Sequence, residues 1–232
     1  MATSRELRYL ERQSLRHTLA FGLEAGSVWC KPLQYGIRSI RRVVNQQLLE
    51  RAMQSDKGVI VLLPHLGNWE MANQFLAPLA KVVALYKPHQ NPLLNDIILN
   101  ARSRSGVTMM PTNRRGVAAI NRHLKAGGVT VILPDQVPDS TGGLEAPFFE
   151  QPTASPTLVA KLARNSGAQL LSLVCARLSD GTFEVIINQA PAGIAADNLL
   201  EAVTTMNRHI EQLILRFPSQ YQWSYKRFKR RS

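Results

Sequence analysis

The stretch Gly58-Val-Ile-Val-Leu-Leu-Pro-His-Leu-Gly-Asn-Trp-Glu70 is an apolar run that ends abruptly in a proline, a histidine, a turn and a carboxylate. Residues 59–63 are all aliphatic, and Val59, Ile60 and Val61 are β-branched, the pattern of a strand covered on both faces. Pro64 removes a backbone donor, so the ladder should stop there. His65 and Glu70 are five residues apart, about 140° around a helix at roughly 100° per residue, so they cannot share a helical face. The spacing instead predicts His65 in a loop at the strand end, Gly67 in the bend, Asn68 as N-cap, and Glu70 in the first turn of the next helix. From there its carboxylate can fold back toward the imidazole. A histidine held in one tautomer by a carboxylate can take a proton from a hydroxyl nucleophile. A capped helix with an incidental histidine fits the same spacing.

At 232 residues the chain suits one domain with a sizeable core. Its 45% hydrophobic and 19% charged residues argue against disorder. Lys and Arg number 28 against 16 Asp and Glu, a formal charge of +12. Such a surface seeks anions, and nucleic acid, an anionic membrane, an acidic protein and a phosphorylated substrate all qualify. Cys30 and Cys175 lie far apart and outside any metal-ligand spacing, which points to a reduced compartment and no metal site. No run approaches the ~18 apolar residues of a spanning helix, and five charged side chains before residue 13 argue against a signal peptide, so a soluble or peripheral protein is expected.

Residues 4–29 read as an amphipathic helix with Ser4 as its cap. It either packs on the sheet or lies on a bilayer with Arg5, Arg8, Arg12 and Arg16 toward headgroups. Residues 38–55 read as a second helix, giving an N-terminal helical segment over 1–55 and an α/β core with a basic tail over 56–232. Within the core, strand patterns at 59–63, 82–86, 107–110 and 129–133 alternate with helical patterns at 70–80, 93–104 and 116–126. A loop is expected over 137–157, then a helix at 156–166. A hairpin follows around Ser179-Asp-Gly181, and a last helix at 197–217. The fold class is therefore α/β: a single domain with a mixed, largely parallel sheet flanked by helices. Ligands in such sheets gather outside the carboxyl ends of strands, where His65, Lys87 and Asp135 all fall.

The string His65-Leu-Gly-Asn-Trp-Glu70 resembles the His-x-x-x-x-Glu signature of the bacterial lipid A biosynthesis acyltransferases, a branch of the glycerolipid acyltransferase superfamily. Further elements follow in family order: Tyr86-Lys-Pro88, Arg102-Ser-Arg104-Ser-Gly106, Pro134-Asp135-Gln136, Gly142-Gly143 ahead of Phe148-Phe149, and a tail from Tyr221-Gln-Trp223 to Phe228-Lys229. Three positions depart from the pattern. Lys87 stands for arginine and loses the bidentate fork, Glu150 stands for glycine, and Tyr225 stands for histidine.

The resemblance implies a glycerolipid-acyltransferase-like fold and transfer of a fatty acyl group from acyl carrier protein to a hydroxyl of a lipid A precursor. His65 would be the base and Glu70 its orienter. Backbone donors near Asn68 would meet the oxyanion. Asn68, Trp69, Lys87, Arg102, Arg104, Asp135, Gln136, Phe148 and Phe149 are the expected substrate-binding residues, with Asp135 organising the site and the two phenylalanines beside an acyl-chain pocket. No bound cofactor is implied, because the acyl-phosphopantetheine arrives on acyl carrier protein. The implied partners are that carrier, a phosphorylated glycolipid and an anionic membrane surface, at the cytoplasmic face of the bacterial inner membrane. Acyl transfer to a lysophospholipid or another glycolipid is the nearest alternative. A nucleic-acid-binding module, resting on Lys226, Arg227, Lys229, Arg230, Arg231 and the aromatics among them, is the alternative from another class; it leaves the ordered interior elements unexplained, and no nucleic acid is expected.

Overall fold

The computed structural model describes residues 3–87, 89–139 and 142–228. Pro88, Lys229, Arg230 and Arg231, singled out above, lie outside the described residues. The chain runs α1 (Ser4–Cys30), α2 (Leu33–Ser39), β1 (Ile40–Val44), α3 (Gln46–Met53), β2 (Val59–Leu62), α4 (Trp69–Leu76), β3 (Val82–Tyr86), α5 (Pro92–Arg104) and β4 (Thr108–Pro111). It continues with α6 (Arg114–Lys125), β5 (Val129–Ile132), β6 (Gly143–Phe148), β7 (Gln151–Pro156), α7 (Leu158–Ser166), β8 (Gln169–Arg177), β9 (Phe183–Gln189) and α8 (Leu199–Arg216).

Seven strands form one sheet in the order β1-β9-β8-β2-β5-β3-β4. Every pairing is parallel except the β8-β9 hairpin. The fold is thus the expected α/β class with a largely parallel mixed sheet. β2 lies between β8 and β5, and all four of its residues are buried. Their alternation splits the core. Ile60 and Leu62 join α6, α7 and α8 on one face, while Val59 and Val61 join α1, α3 and α4 on the other. This is why the run is apolar without a break.

Three local expectations change. Thr3 rather than Ser4 caps α1, its hydroxyl accepting the Glu6 N–H while the Glu6 carboxylate bonds back. Residues 38–55 are not one helix, because Ile40–Val44 forms an edge strand on β9. The β-branched Val43 and Val44 suit a strand, and Asn45, at φ 59°, breaks the chain before α3. The segment expected as a loop holds an antiparallel hairpin of β6 and β7. Its two turn residues, Phe149 and Glu150, have φ of 47° and 62°, the twist a two-residue hairpin needs. A left-handed backbone is one that glycine adopts without strain, so Glu150 is an unusual residue there.

Candidate active site

The parallel register assembles the site. Leu62 of β2 pairs with Ile132 of β5, so the residues three places beyond each, His65 and Asp135, emerge side by side. Both follow a proline that ends its strand. Asp135 is 1% exposed and accepts from His65 twice, from Nδ1 at 2.7 Å and from the main-chain N–H at 2.8 Å. Burial alone would push the Asp135 carboxyl up, but the charge and hydrogen bonds of His65 outweigh it and hold the group below the usual carboxylate range. An ionised carboxylate only accepts, so Nδ1 carries a hydrogen and, in the neutral ring, Nε2 is the acceptor. The side-chain amide of Gln136 lies 3.1 Å from Nε2.

Glu70 does a different job from the one its spacing suggested. As expected, Gly67 makes the bend at φ 66° and Asn68 caps α4 by accepting the Met71 N–H at 2.9 Å. Glu70, however, points to Arg102, with Nη2 to Oε1 at 2.5 Å and Nε to Oε2 at 3.4 Å. The carboxylate on the imidazole is Asp135, and Glu70 instead anchors a guanidinium beside the histidine. Asp135 and Asn68 are buried and spent on these contacts, so neither offers a surface to substrate. The backbone donors expected for the oxyanion are also engaged. Gly67 N–H binds Gln220 O at 3.0 Å, and Asn68 N–H binds Cys175 O at 2.8 Å. A Cβ at Gly67 would lie 2.1 Å from Cys175 O, so close packing as well as φ requires glycine there.

A cavity of about 300 Å³ opens beside His65 at the carboxyl ends of β5 and β3. Ala84, Val107, Met109, Val131, Ile132 and Leu158 give it an apolar wall, and His65, Trp69, Asn73, Lys87, Arg102 and Gln136 a polar one. Of the predicted substrate-binding residues, Trp69, Lys87, Arg102 and Gln136 line it. Lys87 does so while its ammonium pairs with Asp139 at 3.1 Å in solvent, a weak link. Arg104 turns the other way, toward the main-chain carbonyl of Trp29. Phe148 and Phe149 are absent from the wall. Phe148 is fully buried under Arg227, and Phe149 packs on Phe148 and Trp223. As hairpin residues they fill core rather than a pocket.

Asn73 and the structural roles of three tail residues are not evident from the sequence motifs. Asn73 follows Trp69 by four residues and shares its helix face, a spacing that signals it. Tyr225 accepts the Val137 N–H at 3.0 Å and so braces the loop after Asp135. Tyr221 bridges to Leu66 beneath the site, and Arg227 is 2% exposed and donates to Ser155 Oγ at 2.9 Å. The basic tail is therefore partly structural. Among the described residues no three His, Cys, Asp or Glu side chains converge as metal ligands. No described helix is long and apolar enough to cross a membrane.

The sequence model of the family described as "Bacterial lipid A biosynthesis acyltransferase" matches residues 3–230. A lipid A biosynthesis palmitoleoyltransferase of Escherichia coli (strain K12) is 31% identical over 214 residues, which cover 90% of this chain and 68% of that protein. A lipid A biosynthesis lauroyltransferase of the same organism is 26% identical over 211 residues, with the same coverage of both chains. A phosphatidylinositol mannoside acyltransferase of Mycobacterium tuberculosis is 29% identical over 134 residues, 55% of this chain and 41% of its own.

Proposed function

The chain belongs to this bacterial lipid A biosynthesis acyltransferase family, and from that premise we propose that it moves a fatty acyl chain from acyl carrier protein to a hydroxyl of a phosphorylated glycolipid, a lipid A precursor. The observation that carries this reading is the acceptor nitrogen of a carboxylate-held histidine at the edge of an apolar cavity with cations on its rim.

The acceptor hydroxyl takes the place of the Gln136 amide at His65 Nε2 and gives up its proton there. Its oxygen attacks the thioester carbonyl, the new C–O bond forms, the C–S bond breaks, and the proton passes from His65 to the leaving thiol. Asp135 stabilises the imidazolium between these steps. The developing oxyanion has the Gln136 amide and the Arg102 guanidinium as cavity-lining donors, and Glu70 holds the latter in place. The apolar wall receives the acyl chain, and the pantetheine arm enters on its carrier without a bound cofactor. An excess of 28 basic over 16 acidic residues suits an acidic carrier, a phosphorylated lipid and the anionic inner-membrane surface where the protein would sit peripherally.

A second reading keeps the chemistry and changes the acceptor to another glycolipid, which the mycobacterial relative favours. Incubation with several acyl carrier proteins and both acceptor types, followed by mass spectrometry of the lipids, tests both. A mass increase of one acyl chain on a lipid A precursor supports the first reading; acylation of neither acceptor overturns both.

A further inference from the structure

Helix α1 has two faces with different neighbours. Inward, the Phe21 ring stacks on Trp69 with centroids 3.8 Å apart, and Trp69 meets the His65 ring edge-on at 4.9 Å. One turn on, the Glu24 carboxylate accepts from Arg177 Nε at 2.6 Å, Arg177 Nη2 at 2.5 Å and Asn68 Nδ2 at 2.9 Å. Asn68 is the cap of α4 and ends the turn that follows His65, so α1 is built into the support of the catalytic loop.

Outward, Leu15, Leu19 and Leu23 are 65, 71 and 78% exposed, and Arg5, Arg8, Arg12 and Arg16 are exposed too. At roughly 100° per residue these seven positions fall within an arc of about 100°. Three leucines four residues apart gain nothing from water and gain by burial in an apolar phase. Arginines on the same arc select an anionic surface, so the occupant that fits is an anionic lipid bilayer. The stripe exists only while α1 is helical. Gly22 and Gly26, which weaken a helix relative to alanine, sit close to Phe21 and Glu24. Lipid therefore discriminates between the formed helix and a frayed one, the requirement for shifting such an equilibrium.

We propose that α1 couples the two faces: an anionic bilayer on its outer face steadies the helix and, through Phe21 and Glu24, the turn that carries His65, so that the site is fully ordered only at the lipid surface. This rests on the acyltransferase reading of His65, but its test measures no acyl transfer.

Amide hydrogen exchange over residues 65–72 reads the turn, because the N–H groups of His65, Gly67, Asn68 and Met71 are all bonded within it or to its supports. Phosphatidylglycerol vesicles should slow exchange there about threefold or more, and phosphatidylcholine vesicles should not. The outer-face double variant Leu19→Glu/Leu23→Glu should lose both vesicle binding and the slowing. Glu24→Ala should still bind vesicles while its turn gains no protection; Phe21→Leu, a milder cut in the same link, serves if that variant does not fold. Three results overturn the proposal: no sedimentation of the unaltered protein with phosphatidylglycerol vesicles, binding without slower exchange, or equal slowing in the link variants. Failure of the acyltransferase reading appears separately, as acyl transfer that survives loss of His65.

Discussion

Asp135 grips His65 by two atoms at once, one carboxylate oxygen on the ring Nδ1 and the other on the main-chain N–H. The bidentate hold fixes tautomer and ring position together, which a contact to the ring alone would not do. Asp135→Asn keeps the shape but can present an amide N–H to Nδ1, turning the ring tautomer over. We expect a loss on the order of a thousandfold in kcat with an unchanged circular dichroism spectrum. An activity within tenfold of the unaltered enzyme would remove Asp135 from the mechanism.

The Glu70–Arg102 pair should behave as a unit. Glu70 is 3% exposed, and removing its charge leaves a guanidinium uncompensated at the cavity rim. Glu70→Gln should cost about 2 kcal/mol in stability by denaturant titration and lower kcat. Arg102→Met in the same chain should recover part of the stability but none of the activity. Additive stability losses in the double variant would show that the two side chains act independently.

Two histidines outside the site predict how stability depends on pH. Burial pushes the His209 pKa down, and its Nε2 lies 2.8 Å from the buried Ser172 hydroxyl. Burial and then the Arg177 charge do the same for His17. A histidine depressed in the folded state takes up its proton more readily when unfolded, so its contribution is present above the ordinary value of about 6.5 and is lost as pH falls below it. Unfolding free energy should therefore decline as pH falls below about 6.5, with the more buried His209 contributing more than the partly exposed His17. His209→Gln should flatten that slope, and an unchanged slope would mean His209 does not titrate there.

The thiols should separate cleanly. Burial, then the Glu24 charge, pushes the Cys175 thiol far up, while Cys30 is exposed on the last turn of α1. A thiol reagent at pH 8 should label one cysteine quickly in the native protein and the second only after unfolding. Fast labelling of both would mean β8 is open in solution.

The layered α/β architecture and the strand-end histidine were readable because apolar runs and their proline stops are local signals. The pairing of His65 with Asp135 is not a local signal, since strand register is a long-range property. Yet a trace of it is present: Gly58-Val-Ile-Val-Leu-Leu-Pro-His65 and Gly128-Val-Thr-Val-Ile-Leu-Pro-Asp135 are two strands with one ending, and they pair in register. The partner of Glu70 is not legible from spacing, because the first helical turn can face several ways, and only the packing of α5 brings Arg102 to it. The phenylalanines are ambiguous for a similar reason: a buried core and a pocket wall are both filled by aromatic side chains.

The role of His65 as the base is tested most directly by acyl transfer in His65→Ala, measured from acyl carrier protein to a lipid A precursor beside a thermal unfolding curve. A loss on the order of a hundredfold or more is expected, with the folded state intact. Transfer at the rate of the unaltered protein would contradict that role.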